Sequence, residues 1–337
     1  MEARPRTPWL KYLLSLAVAA ALLYVSFRGV KWADLLAALG ACRWGFVLLA
    51  MAVGALAFLL RALRWQMLLR PIDPSLRLLP VVNAININYL ANLVLPRIGE
   101  FVRCGYITKH SLPGPDGHKR ASYDKTLGTV VADRLWDMLS LFLLTLVLLG
   151  LFWSRFGGFF RERILTPVSG NAGHTGLMLA GAVLVAAALL WLVWRLRERS
   201  ALCGKVWGFV AGMGTGLRDS LRMQHLWLFL LLTVLVWACY WMQCQAIVWA
   251  VDNLLPEGVR LGPGDALILM VVGALSSLVP VPGGFGAFHY LVSLALTSLY
   301  GIPMETAVIF ATLSHESQVL TQILCGGASY AAESFTH

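Results

Sequence analysis

The sequence predicts an all-α polytopic membrane protein. About six full transmembrane helices and two re-entrant helical hairpins form an inverted repeat, with both termini on the cytoplasmic side. Three observations predict it. The chain is 58% hydrophobic and 13% charged, with a mean hydropathy of +0.72, whereas a soluble domain carries about 25% charged residues. Several apolar stretches reach the roughly 20 residues that cross a hydrocarbon layer. Two others are broken in the middle, at Leu95-Pro96-Arg97-Ile98-Gly99 and at Pro280-Val281-Pro282-Gly283-Gly284-Phe285-Gly286. A helix breaker at membrane depth frees backbone groups that lipid cannot satisfy. It survives only against protein or a water-filled cavity. Paired breaks in two halves of a chain point to a transporter's binding site.

The elements follow in order. A first span at 9–27 lies behind Arg4 and Arg6. It is longer than the apolar core of a signal peptide, and no clear cleavage site follows, so it is expected to stay attached. Residues 31–39 place Trp32, Leu35, Leu36 and Leu39 on one face, as an interfacial helix does. Further full spans are expected at 44–60, 126–152, 174–195, 224–251 and 304–325, with the hairpins at 79–107 and 265–300. Pro113, Gly114, Pro115 and Gly117 make 108–124 a loop. Gly204, Gly208, Gly212 and Gly216 recur every fourth residue, either as a ridge for close helix packing or as a flexible loop. The whole chain, 1–337, reads as one integral membrane domain, with halves at 1–152 and 174–337.

Charge sets the orientation. With the N-terminus inside, 17 Lys and Arg fall in cytoplasmic segments and 7 in outer ones, as the positive-inside rule requires. The first hairpin then enters from the cytoplasm and the second from outside. Ten full crossings is the competing topology, but each half of a broken region is short for a crossing. The net charge of +10 suits anionic lipid headgroups and calls for no nucleic acid. Trp9, Trp32, Trp44, Trp153 and Trp227 lie near segment ends, where an aromatic belt sits. The six cysteines are scattered without a CxxC pair, which leaves ordinary packing as their role.

Ionisable groups inside a membrane are costly and face a partner or a cavity. Arg97, Glu100 and Arg103 are spaced three apart, so a continuous helix carries them on one face. Asp133, Arg134 and Asp137 lie in the third span. The six sum to zero charge. They suit an ion-pair network, and the same pairs can hold an arginine ready for an anionic headgroup. Arg134 between the two aspartates argues for ion pairing over a metal. A half-helix beginning after Pro282 would aim backbone N–H groups at the cavity, with Gly283, Gly284 and Gly286 permitting close approach. Asn88 and Asn92 share a face and either line the cavity or cap the broken helices. His289 follows the second break, and His315 and Glu316 lie in the last span; all three are candidate cavity residues. Arg61 and Arg64 are expected at the cytoplasmic interface.

At these residues the chain resembles the transmembrane flippase-like domain of the lysylphosphatidylglycerol synthase family. The motifs that carry the resemblance are Arg61-x-x-Arg64-Trp65, Asn92-x-x-x-Pro96-Arg97-x-Gly99-Glu100-x-x-Arg103, Asp133-Arg134-x-x-Asp137 and Pro280-x-Pro282-Gly283-Gly284-x-Gly286. Two-domain members add a soluble aminoacyl transferase; this chain ends at His337, so the resemblance implies no lysine transfer. Stand-alone members imply movement of lipids or lipid-linked precursors between leaflets. The family usually has glutamate where this chain has His289, and arginine where it has His315 beside Glu316.

The expected function is a carrier that moves an anionic lipid, phospholipid or polyprenyl-phosphate-linked precursor, between leaflets of a bacterial cytoplasmic membrane. The alternatives are an intramembrane enzyme acting on a lipid phosphate and a structural or regulatory subunit. No phosphate-binding lysine loop, G-x-S-x-G elbow or H-E-x-x-H helix occurs. No catalytic residue, metal or cofactor is therefore expected. The expected partners are the anionic lipid and the bilayer.

Overall fold

In a computed structural model the described residues are 8–152 and 223–335, apart from 29, 31, 115 and 116, with a few positions between 191 and 207. Among them the chain is helical, without strands. It divides into two units, 1–130 with 225–337, and 131–224. Nearly all of the span expected at 174–195, most of the glycine ridge and Trp153 fall outside the described residues.

The helices are α1 (Pro8–Phe27), α2 (Trp32–Ala41), α3 (Trp44–Leu69), α4 (Leu78–Val94), α5 (Gly99–His110), α6 (Tyr123–Leu151), α7 (Leu226–Val251), α8 (Pro263–Ser276), α9 (Ala287–Tyr300) and α10 (Met304–Phe335). Single turns of 3-10 helix cover Asp252–Leu254 and Pro282–Gly284. Among the described residues, three segments are long and apolar enough to cross a membrane: Trp44–Leu69, Tyr123–Leu151 and Leu226–Leu254. They coincide with the spans expected at 44–60, 126–152 and 224–251. The expected span at 304–325 lies within α10, which also carries His315, Glu316 and a run of serines and threonines.

Local chemistry explains the ends. Leu95 is extended (φ −129°, ψ 126°), as a residue before proline must be, so α4 stops there. Asn92 then accepts the first N–H of α5 through Oδ1, 2.8 Å from Gly99 N. Pro263 opens α8, where its missing N–H costs nothing. The Asp265 carboxylate accepts the Gly262 N–H at 2.7 Å. Gly301, left-handed at φ 64°, closes α9.

Packing in the first unit is built from antiparallel pairs. Along α3 and α7, the Arg43 N–H donates to Ala250 O at 3.0 Å, Gly54 meets Gln243 and Arg61 meets Tyr240. Helices α4 and α5 fold into a hairpin, Asn88 against Gly99 near the break and Asn83 against Tyr106 farther out. Helices α8 and α9 repeat the arrangement, with Gly273 against Phe288 and Asp265 against Tyr300. In each hairpin a polar side chain of the first helix bonds a tyrosine hydroxyl of the second.

Helix α10 lies along α4. Gly326 meets Leu90 and the Asn86 carbonyl, and the Asn86 amide donates to Ser329 Oγ at 2.9 Å. At its end, Glu333 accepts the Tyr106 hydroxyl at 2.7 Å and Lys109 Nζ at 2.9 Å, with His110 Nε2 3.2 Å away. The tyrosine bond first, then the lysine bond, holds the Glu333 carboxyl down to about 2 from its ordinary 4.5. Helix α1 seats on the second break, where Ala19 packs with Val281 and Ala287.

Two predictions follow from this packing. A β-carbon at Gly99 would overlap the carbonyl oxygen of Asn88, whereas one at Gly105 meets nothing. Gly99→Ala should destabilise by about 1–3 kcal/mol, the usual cost of overpacking. Gly105→Ala should be neutral or stabilising by up to about 1 kcal/mol. Thermal unfolding in detergent compares them. Because the Glu333 carboxyl is depressed in the folded state, its contribution is complete above pH 4.5 and is lost as pH falls toward 2. Wild type should therefore lose stability over that window more steeply than Glu333→Gln, measured by unfolding temperature from pH 6 to 2.5.

Candidate functional site

The site grows from the two breaks, which meet. Leu93, on the last turn of α4, lies against Gly283. Both breaks use left-handed backbone. In the second, Gly283, Gly284 and Gly286 have φ of 58°, 79° and 79°, which glycine adopts without strain. In the first, the left-handed residue is Arg97, at φ 63°. A side chain there costs about 1–2 kcal/mol.

This conformation corrects one expectation. Arg97 precedes α5 and turns the chain, so helical spacing does not run from it to Glu100. Its side chain is exposed. Glu100 and Arg103 do share α5; Glu100 is half-buried and Arg103 is 1% exposed. Asn88 is buried at the α4–α5 crossing. Asn92 takes the capping role that the sequence left as one of two possibilities.

The buried arginine side chains lie against aromatic rings. Arg103 Cζ sits 4.6 Å from the centre of the Trp65 ring, and the Trp65 indole donates to Thr129 Oγ1 at 3.0 Å. Arg64, fully buried, lies 5.7 Å from the Phe229 ring. Arg61, 5% exposed, donates to the Tyr240 hydroxyl at 3.1 Å and faces Tyr89. Arg61 and Arg64, read from the sequence as interface residues, are thus enclosed by protein. Rings hold these guanidinium planes by cation–π contact. Trp65 was visible beside Arg64 in the sequence. Tyr89, Phe229 and Tyr240 come from other helices and carried no local signal.

Around the second break, His315 Nε2 lies 2.9 Å from the Gly283 carbonyl, and Pro282 is buried. His289, in the first turn of α9, is 1% exposed. Glu316 approaches both histidines, with Oε1 3.1 Å from His315 Nδ1 and 3.7 Å from His289 Nε2. The sequence foresaw these three residues near the break but not their convergence. Asp133, Arg134 and Asp137 belong to the second unit: Asp133 is buried, and Arg134 reaches Asp137 at 3.9 Å along α6.

Apolar spans with two packed, broken-helix hairpins define an integral membrane protein. The chain matches the family described as the lysylphosphatidylglycerol synthase TM region over residues 12–326, and it belongs to that family. No curated protein matches it. The family places the chain among membrane proteins related to lipid modification or transport.

The strain at Arg97 separates backbone from side chain. Arg97→Gly should raise stability by about 1 kcal/mol by removing it, whereas Arg97→Ala keeps the strain and should not. Unfolding temperatures of the two variants, measured side by side, check this.

Proposed function

We propose that this protein moves an anionic lipid, a phospholipid or a polyprenyl-phosphate-linked precursor, between the leaflets of a bacterial cytoplasmic membrane. The observation that carries the reading is the set of buried guanidinium groups, Arg61, Arg64 and Arg103, held against aromatic rings beside the first hairpin. Arginine at depth is costly and marks a substrate path. Its fork fits a phosphate through two parallel bonds. Family membership supports the same substrate class.

The hairpins act as re-entrant elements of an inverted repeat, entering from opposite sides in an N-in, C-in topology. Three features support this: the matching polar–tyrosine pairs, the left-handed breaks and the contact between Leu93 and Gly283. His315 lies about 17 Å along α10 at 1.5 Å per residue, near half the ~30 Å hydrocarbon thickness. This supports a position of the breaks close to the bilayer midplane. In this reading the protein is a carrier rather than an enzyme, and the chain is one membrane domain.

Leaflet transfer of labelled lipids in proteoliposomes tests the reading. Anionic lipids should transfer faster than zwitterionic ones. Arg103→Lys keeps the charge but loses the fork, and should slow anionic transfer about tenfold, the worth of one charge-assisted bond, with little change in unfolding temperature. Equal rates for the two lipid classes, or an Arg103→Lys protein that is fully active, would sink the proposal.

A further inference from the structure

His289 on α9 and His315 and Glu316 on α10 present ligand atoms that all lie within 4.8 Å of one another. Both rings are buried, 1% and 4% exposed. Glu316 is half-buried, with a side chain 39% exposed. Phe27 and Phe288 pack on His289, and Phe285 and Phe288 on His315, so the planes of both rings are set by their surroundings.

The hydrogen positions make the cluster informative. His315 Nε2 faces the Gly283 carbonyl at 2.9 Å. A carbonyl only accepts, so Nε2 carries the hydrogen. Nδ1 of the neutral ring is then a bare lone pair. It faces Glu316 Oε1 at 3.1 Å, and an ionised carboxylate also only accepts. Two acceptors at that distance need something positive between them.

His289 adds a second case. Its Nδ1 is buried without a hydrogen-bond partner. Its Nε2 meets the same glutamate oxygen at 3.7 Å, too long for a hydrogen bond. A proton on His315 relieves one contact and leaves His289 unserved. Protons on both rings set two imidazolium ions 4.9 Å apart, centre to centre, against one carboxylate. A single divalent cation meets His315 Nδ1, His289 Nε2 and Glu316 Oε1 at once, with the His289 hydrogen left on Nδ1.

Two of the three spacings fit such an ion, and the third, between the two rings, is within 4.8 Å. Ligand bonds of about 2.0–2.1 Å in a tetrahedral site place ligand atoms about 3.3 Å apart, and the two contacts to Glu316, 3.1 and 3.7 Å, bracket that edge. The bond from His315 to a backbone carbonyl is the outer contact that orients a ligating histidine. Two imidazoles and one carboxylate suit a first-row transition ion and not magnesium or calcium.

We propose that this protein binds one divalent transition-metal ion of zinc's class through His289 Nε2, His315 Nδ1 and Glu316 Oε1. The ion ties α9 and the second break to α10. Three protein ligands leave a fourth position, for water or an oxygen anion. No H-E-x-x-H spacing signals such a site, and the ligands come from two helices. The inference does not depend on the lipid reading, and its test uses no lipid.

The test uses the purified chain in detergent, stripped with a chelator and then titrated with Zn2+ or Co2+. Bound metal, the visible spectrum of Co2+ and the unfolding temperature are measured. The expected result is one equivalent of metal, Co2+ bands of a tetrahedral nitrogen–oxygen site, and a raised unfolding temperature. His289→Gln and Glu316→Gln should weaken Zn2+ binding about a hundredfold or more, beyond the loss typical of an outer-contact change. Metal-free Glu316→Gln should be at least as stable as metal-free wild type, because the glutamine amide can donate to His315 Nδ1. That variant keeps the test open if a histidine change fails to fold. Wild type that binds no more metal than Glu316→Gln would overturn the proposal. So would a metal-free Glu316→Gln that unfolds below metal-free wild type, since an imidazolium–carboxylate pair would produce that loss.

Discussion

Everything at the centre of this molecule depends on satisfying the backbone groups that two broken helices set free. In a hydrocarbon layer each such group costs several kcal/mol unless protein or water meets it. The chain meets the cost by packing one break against the other and by covering them. Leu93 closes on Gly283. Asn92 caps α5 from across the hairpin, His315 takes the Gly283 carbonyl, and α1 covers the far side of the second break. Side chains that look like candidates for ligand binding are thus also the hydrogen-bond partners that allow the breaks to exist.

The same constraint shapes the use of charge. Arg61, Arg64 and Arg103 are buried among rings from several helices, so their positions are fixed by aromatic packing as well as by charge. Lys109 and Glu333 meet where α5 and α10 end, and Lys109 is half exposed, where water screens the pair. Buried guanidinium among rings and a partly solvated pair at the helix ends are thus two different uses of charge. The Glu333 contact fixes where α10 stops against α5, which sets the register of Gly326 and Ser329 along α4.

The two halves reach similar geometry by different chemistry. One break turns on glycines and the other on a strained arginine. One hairpin joins its helices through Asn83 and Tyr106, the other through Asp265 and Tyr300. The second half brings two histidines and a glutamate to its break. The chemistry of the two halves is not interchangeable: the first buries Arg61, Arg64 and Arg103, the second gathers His289, His315 and Glu316.

The all-helical membrane class, three of the spans, both helix breaks and the family were legible in the sequence, because each rests on local signals. Apolar length, a proline–glycine interruption and motif spacing are properties of contiguous residues. What the sequence could not supply was any contact between helices. It set Arg97 on one face with Glu100 and Arg103, since spacing assumes a continuous helix; the left-handed turn at Arg97 ends that assumption. It named Arg61 and Arg64 but not the rings that enclose them, because those rings belong to α4 and α7. It set His315 beside Glu316 and named His289 as a further cavity residue, and only the packing of α9 on α10 made them one cluster. Local chemistry determined where helices start, stop and break. Tertiary structure decided which of those ends meet, because burial of their freed polar groups has to be satisfied by residues far away in the chain.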